Sequence, residues 1–166
     1  MSVRIFAYGS NMCSGRFRAY KVKPLGARRA YLSGWKLLFH KCSSDGSGKA
    51  DVVPAHADAR VWGIVYEISK ADLRKLDVGE QGYHRCRLTL SGPRGGSFRA
   101  WVYRADPNAC ESGLLPYGWY KRFLVEGAEE HNLPSDYITS LRAIAAKLDP
   151  DQSRDKKKRA LSCRPD

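Results

Sequence analysis

The sequence predicts an α+β fold in which a curved or barrel-like mixed β-sheet is flanked by helices. Three observations predict it. Short β-rich stretches recur through the first two thirds of the chain, helical spacing of apolar residues dominates only after Pro116, and strands do not alternate with long helices as a doubly wound fold requires. At 166 residues, with 43% hydrophobic and 28% charged side chains, the chain suits one globular domain with a substantial core.

Val3-Arg4-Ile5-Phe6-Ala7-Tyr8 alternates toward the small polar group Gly9-Ser10-Asn11, the pattern of a strand entering a tight loop. Arg29 to Leu32 and Trp35 to His40 flank Ser33-Gly34, which predicts a hairpin or a bend within one long strand. Asp51-Val52-Val53 is a further strand. Val61 to Ile68 is apolar on both faces, as a central strand should be. Ser69-Lys70-Ala71-Asp72 has the form of a helix start, and Leu73 and Leu76 carry a short helix to about Asp77. Tyr83 to Leu90 and Phe98 to Tyr103 alternate around a glycine-rich turn and form a hairpin. Apolar spacing from Tyr120 to His131 and from Ile138 to Leu148 predicts two late helices.

The domain is expected to span residues 1–150. Residues 151–166 hold six basic residues against three acidic ones and no apolar period, so they read as a disordered basic tail whose removal is silent. The net charge of +12 admits an anionic partner without choosing one. No long apolar run or export-type leader is present, so neither a membrane span nor secretion is expected. Five scattered cysteines without close pairs suggest neither a disulfide framework nor a zinc ribbon, which fits a reducing cytoplasm.

Two groups carry chemistry. Tyr8-Gly9-Ser10-Asn11 ends a strand, where glycine permits close approach of a ligand and exposed N–H groups bind anions. The same residues also fit an ordinary Asx-capped turn. Glu80, between Gly79 and Gln81-Gly82, is a carboxylate that partial burial could raise into the range of a general base, or a solvated loop acid.

Taken together with later landmarks, these residues resemble the γ-glutamylcyclotransferase family. Phe6-Ala7-Tyr8-Gly9-Ser10-Asn11-Met12 resembles its opening signature, Val61-Trp62-Gly63-Ile64 its V-W-G strand, and Leu73 to Glu80 its L-x-x-L-D-x-x-E segment. Tyr83-His84-Arg85 resembles the aromatic-basic strand start, and Tyr120-Lys121 with Gly127 to Pro134 resembles the ending. The resemblance covers about residues 3–148. It implies conversion of γ-glutamyl amino acids or amines to 5-oxoproline with release of the free amine, a cyclising acyl transfer without metal or organic cofactor. Glu80 is then the acid/base, Tyr8, Gly9, Ser10 and Asn11 bind substrate largely through their backbone, and Tyr120 lies near the site. Gln81 stands where the family usually has glycine. Y-G-S-N instead of Y-G-S-L points away from glutathione as the substrate.

The expected partner is therefore a small γ-glutamyl molecule, with a monomer or homodimer both allowed and nucleic acid not expected. The alternative is a basic module that keeps the fold and binds nucleic acid or another anion, using Arg28, Arg29, Arg85, Arg87, Arg99 and Arg104 among aromatics. His40 and Cys42 with His84 and Cys86 have strand spacing rather than the turn spacing of a zinc site, so they read as separate residues. Cys13 reads as a small buried thiol.

Overall fold

Alternation of the first strand places Ile5 in the interior, and from there a closed barrel is built in the order β1-β5-β2-β6-β7. The computed structural model describes residues 1–163. Strand β1 (Ser2–Ala7) pairs antiparallel with β5 (Arg60–Ser69), and β5 pairs on its other edge with β2 (Gly26–Ser33). The hairpin β6 (Tyr83–Ser91) and β7 (Ser97–Ala105) joins β2 through Tyr31 and Ser91. Parallel pairing of β7 with β1, Trp101 beside Ile5, closes the ring and leaves it no open edge. Phe6, Leu32, Ile64, Leu90 and Val102 are all buried. Each such side chain contributes about 1.5–3 kcal/mol over exposure.

Ser33-Gly34 is the bend rather than a simple hairpin. Beyond it, β3 (Trp35–Cys42) leaves the barrel and pairs with β4 (Gly48–Pro54) in a separate two-stranded sheet. That ribbon is fastened to β7, where the Arg104 Nε donates to the Val52 carbonyl and the Ala105 N–H donates to Asp51.

Helix α1 (Ser14–Ala19) and the preceding 3₁₀ turn Ser10–Met12 follow β1 directly; neither was expected from the apolar pattern. Helix α2 (Lys70–Gly79) starts where predicted, with the Ser69 hydroxyl accepting from the Asp72 N–H at 3.0 Å. It runs two residues further than expected. Helix α3 (Gly118–Glu130) buries Trp119, Tyr120, Phe123, Leu124, Gly127 and Ala128 on one face. A Cβ on Gly127 would lie 2.6 Å from the backbone of Met12 and Cys13, so only glycine lets this helix press against the 3₁₀ turn. Helix α4 (Ser135–Arg142) is shorter than the pattern suggested, and Leu148 is exposed.

The disordered tail expected at 151–166 is corrected by helix α5 (Gln152–Arg159). Asp151 caps it by accepting from the Arg154 N–H, and Arg154 grips the buried carboxylate of Asp149 at 2.5 and 2.7 Å, which also accepts from Trp119 Nε1. The Arg122 guanidinium donates to the carbonyls of Lys158, Arg159 and Leu161. Polar grips of this kind have no apolar period, which is why the sequence pattern hid them. The segment ends in a disulfide between Cys163 and Cys13, where no disulfide was expected. The cysteine argument for a reducing compartment loses its footing with that bond. Residues 164–166, the end of the expected tail, lie outside the described residues. Among the described residues, no helix is long and apolar enough to cross a membrane.

Candidate active site

Two segments that the sequence flagged separately meet here. The end of β1 delivers Tyr8 and Gly9, the 3₁₀ turn delivers Ser10 and Asn11, and the C-terminal end of α2 delivers Glu80, whose N–H still donates to the Leu76 carbonyl. All five line one narrow cavity of about 40 Å³, together with Tyr120 from α3.

The Asn11 Nδ2 donates to the Glu80 carboxylate at 2.7 Å. Its other amide atom, Oδ1, is buried and has no hydrogen-bond partner among the described residues. An acceptor left in that state is costly unless something else fills it. Burial pushes the Glu80 carboxyl above its ordinary range, while the Asn11 bond and the charges of Arg16 and Lys41 pull it partway back. The result is a carboxyl suited to exchange a proton with an amine.

Tyrosines build the rest of the wall. Tyr8 sends its hydroxyl to the Tyr103 carbonyl at 2.6 Å, so the ring positions the loop and its phenol is already engaged. The Tyr103 hydroxyl donates to Asp77, which pairs with Arg85. Tyr120 does more than pack, because its hydroxyl accepts from the Ala50 N–H at 3.1 Å. Tyr83 donates to the Ala50 carbonyl at 2.8 Å. Burial raises the Tyr8 and Tyr83 hydroxyls well above the ordinary value and pushes Tyr120 up to about 12, so all three stay protonated near neutral pH.

Ala50, Tyr83 and Tyr103 are site residues that sequence reasoning missed. Tyr83 had a signal in its place directly after the Glu80 loop. Ala50 had none, because a backbone group held by two tyrosines from distant segments leaves no trace in residue type.

Other candidates disperse. Cys13 is no free thiol, since its sulfur is bonded to Cys163. His84 pairs with Asp106 and His40 with Asp51, while Cys42 and Cys86 are free thiols. The basic residues are not one open face. Arg104 stacks on Trp35, Arg85 and Arg87 on Trp101, Arg28 on Phe98, and Arg29 donates to the Asn132 carbonyl.

Known proteins share this architecture. A profile of the AIG2-like family matches residues 60–141. A Bos taurus protein named gamma-glutamylcyclotransferase is 27% identical over 147 residues, covering 84% of this chain and 77% of the relative. A solved structure named gamma-glutamyl cyclotransferase superposes with a TM-score of 0.81 at 24% identity, over 96% of this chain and 99% of the other. An uncharacterized Homo sapiens protein does so with a TM-score of 0.79 at 26% identity, over 95% and 98%.

Proposed function

We propose, from its similarity to γ-glutamylcyclotransferases in sequence and fold, that this chain cyclises the γ-glutamyl group of γ-glutamyl amino acids or amines to 5-oxoproline. The observation that carries this reading is the junction of Asn11 with a carboxyl that burial has raised, in a pocket that Tyr8, Gly9, Ser10 and Tyr120 also line.

The reaction needs a nucleophilic α-amine, a polarised γ-carbonyl and a proton for the leaving nitrogen. Glu80 takes a proton from the substrate ammonium, and the freed Asn11 Oδ1 accepts from the same nitrogen and aims its lone pair. The nitrogen attacks the γ-carbonyl carbon, closing a five-membered ring and placing negative charge on the oxygen. Backbone N–H groups of the Tyr8 to Asn11 segment face that charge, because the first N–H groups of a helical turn have no acceptor within it. The same segment pins the α-carboxylate. As the C–N bond to the leaving amine breaks, protonated Glu80 returns its proton to that amine. Confining the chain in the narrow pocket supplies proximity. Tyr120, from α3, lines the pocket beside the loop.

The test is a panel of γ-glutamyl amino acids and γ-glutamyl amines, with 5-oxoproline and free amine quantified together. Equal yields of the two products are expected. No 5-oxoproline from any member of the panel, with a salt-sensitive mobility shift on single-stranded nucleic acid, would replace this reading with the anion-binding one.

A further inference from the structure

Outside the active-site cavity, three donor side chains of different chemistry converge from three segments. His40 comes from β3, Asp51 from β4, and Cys110 from the turn that follows β7. One ring nitrogen of His40, one carboxylate oxygen of Asp51 and the Cys110 Sγ all lie within 4.8 Å of one another. In a tetrahedral zinc site the ligand atoms stand roughly 3.3–3.8 Å apart, given bonds of about 2.0–2.3 Å. The His40–Asp51 pair, at 2.8 Å, has to open by about half an ångström and the Cys110 Sγ has to approach by about one to reach that spacing.

Its setting favours a metal over an inert ion pair. The buried Asp51 carboxylate is oriented by the Ala105 N–H on Oδ1 at 2.9 Å, which leaves Oδ2 facing His40 at 2.8 Å. Anchoring one oxygen so that the other is presented is how supporting groups prepare a carboxylate ligand. The His40 side chain is 25% exposed, giving an ion a way in and a water the fourth position. Cys110 is a free, half-buried thiol whose Sγ donates weakly to the Asp106 carbonyl at 3.4 Å. Lys41 and Arg104, whose charges act on the thiol, are engaged elsewhere, Lys41 over the Tyr83 ring and Arg104 on Val52 and Trp35. Nitrogen, oxygen and sulfur together suit zinc over calcium or magnesium.

We propose that His40, Asp51 and Cys110 bind one zinc ion with water as the fourth ligand. On binding, the Cys110 thiol loses its proton to solvent, the His40–Asp51 hydrogen bond is exchanged for two metal bonds, and the site becomes neutral. The ion ties β3, β4 and the 106–110 turn together one residue from Ala50, the backbone group that Tyr83 and Tyr120 hold. Its role is to stiffen that edge of the pocket, apart from the proton transfers assigned to Glu80.

Cobalt(II) is the probe, because thiolate ligation gives it a near-ultraviolet charge-transfer band. Full-length protein, stripped with chelator and desalted under nitrogen with its disulfide intact, is titrated with Co²⁺ and then with Zn²⁺. The expected result is a charge-transfer band saturating at one equivalent, bleached by Zn²⁺, with a higher Tm for the zinc form. Cys110→Ser should lose the band, His40→Ala should weaken binding at least about tenfold, and Cys42→Ser and Cys86→Ser should keep the band. A wild-type protein without the band, or an undiminished band in a folded Cys110→Ser variant, overturns the proposal.

Discussion

Asn11 and Glu80 lie 69 residues apart and are joined by a single 2.7 Å hydrogen bond across the active-site cavity. In the proposed mechanism, that bond lets the loop assigned to the substrate adjust the carboxyl assigned to the proton transfer. Cyclisation needs both functions at one substrate nitrogen, and the bond sets their relative position.

Replacing Glu80 with glutamine keeps the hydrogen bond to Asn11 in reach but removes the proton acceptor. Turnover should fall by the ~10²–10⁴-fold typical of a lost general base. Stability should hold or rise. Because the folded pKa of Glu80 is raised, its ionised form opposes folding, and that penalty grows as pH rises through the folded value. Near wild-type 5-oxoproline formation in a folded Glu80→Gln protein would remove Glu80 from the mechanism.

Asn11→Ala tests the bond itself through the pH profile of kcat/KM. The bond lowers the Glu80 pKa, and activity requires the carboxylate, so losing it should move the acidic limb of the profile to higher pH. A reduced rate with an unmoved limb would leave Asn11 a substrate contact without influence on the base.

Gly9 has ordinary negative φ, so its constraint is space. A Cβ there would come within 3.3 Å of both the Ala50 Cβ and the Tyr120 hydroxyl. Gly9→Ala should therefore lower turnover by shifting Tyr120 and narrowing the cavity. Gly26→Ala, where a Cβ meets nothing within 4 Å, is the matched control. Equal rates in the two variants would detach Gly9 from the site.

Cys163→Ser opens a disulfide that spans 150 residues of sequence. Loss of a native disulfide typically costs ~2–5 kcal/mol, equivalent to a fall of roughly 5–15 °C in Tm for a domain of this size. Deleting residues 151–166 should lower Tm further, since it also removes the Arg154 grip on Asp149. Cys42→Ser, at an exposed free thiol, should leave the melting curve in place. An unchanged Tm on truncation would mean that the terminal segment contributes nothing to the fold.

What the sequence determined by itself was local. The Ser69 cap, the β6–β7 hairpin and the buried face of α3 follow from backbone preferences and apolar period, which neighbouring residues encode. Glu80 and the Tyr8 to Asn11 group were legible as chemically suited residues, and their order among the other landmarks named the family. Tertiary structure alone decided that Asn11 touches Glu80, that two tyrosines hold Ala50, and that Cys163 returns to Cys13. Those contacts depend on which surfaces meet once the barrel closes. Polar and covalent links across 33 to 150 residues follow no period that a local pattern could reveal. Helix α5 is the clearest instance, because its docking rests on arginine and backbone carbonyls, groups that look the same in a solvated tail.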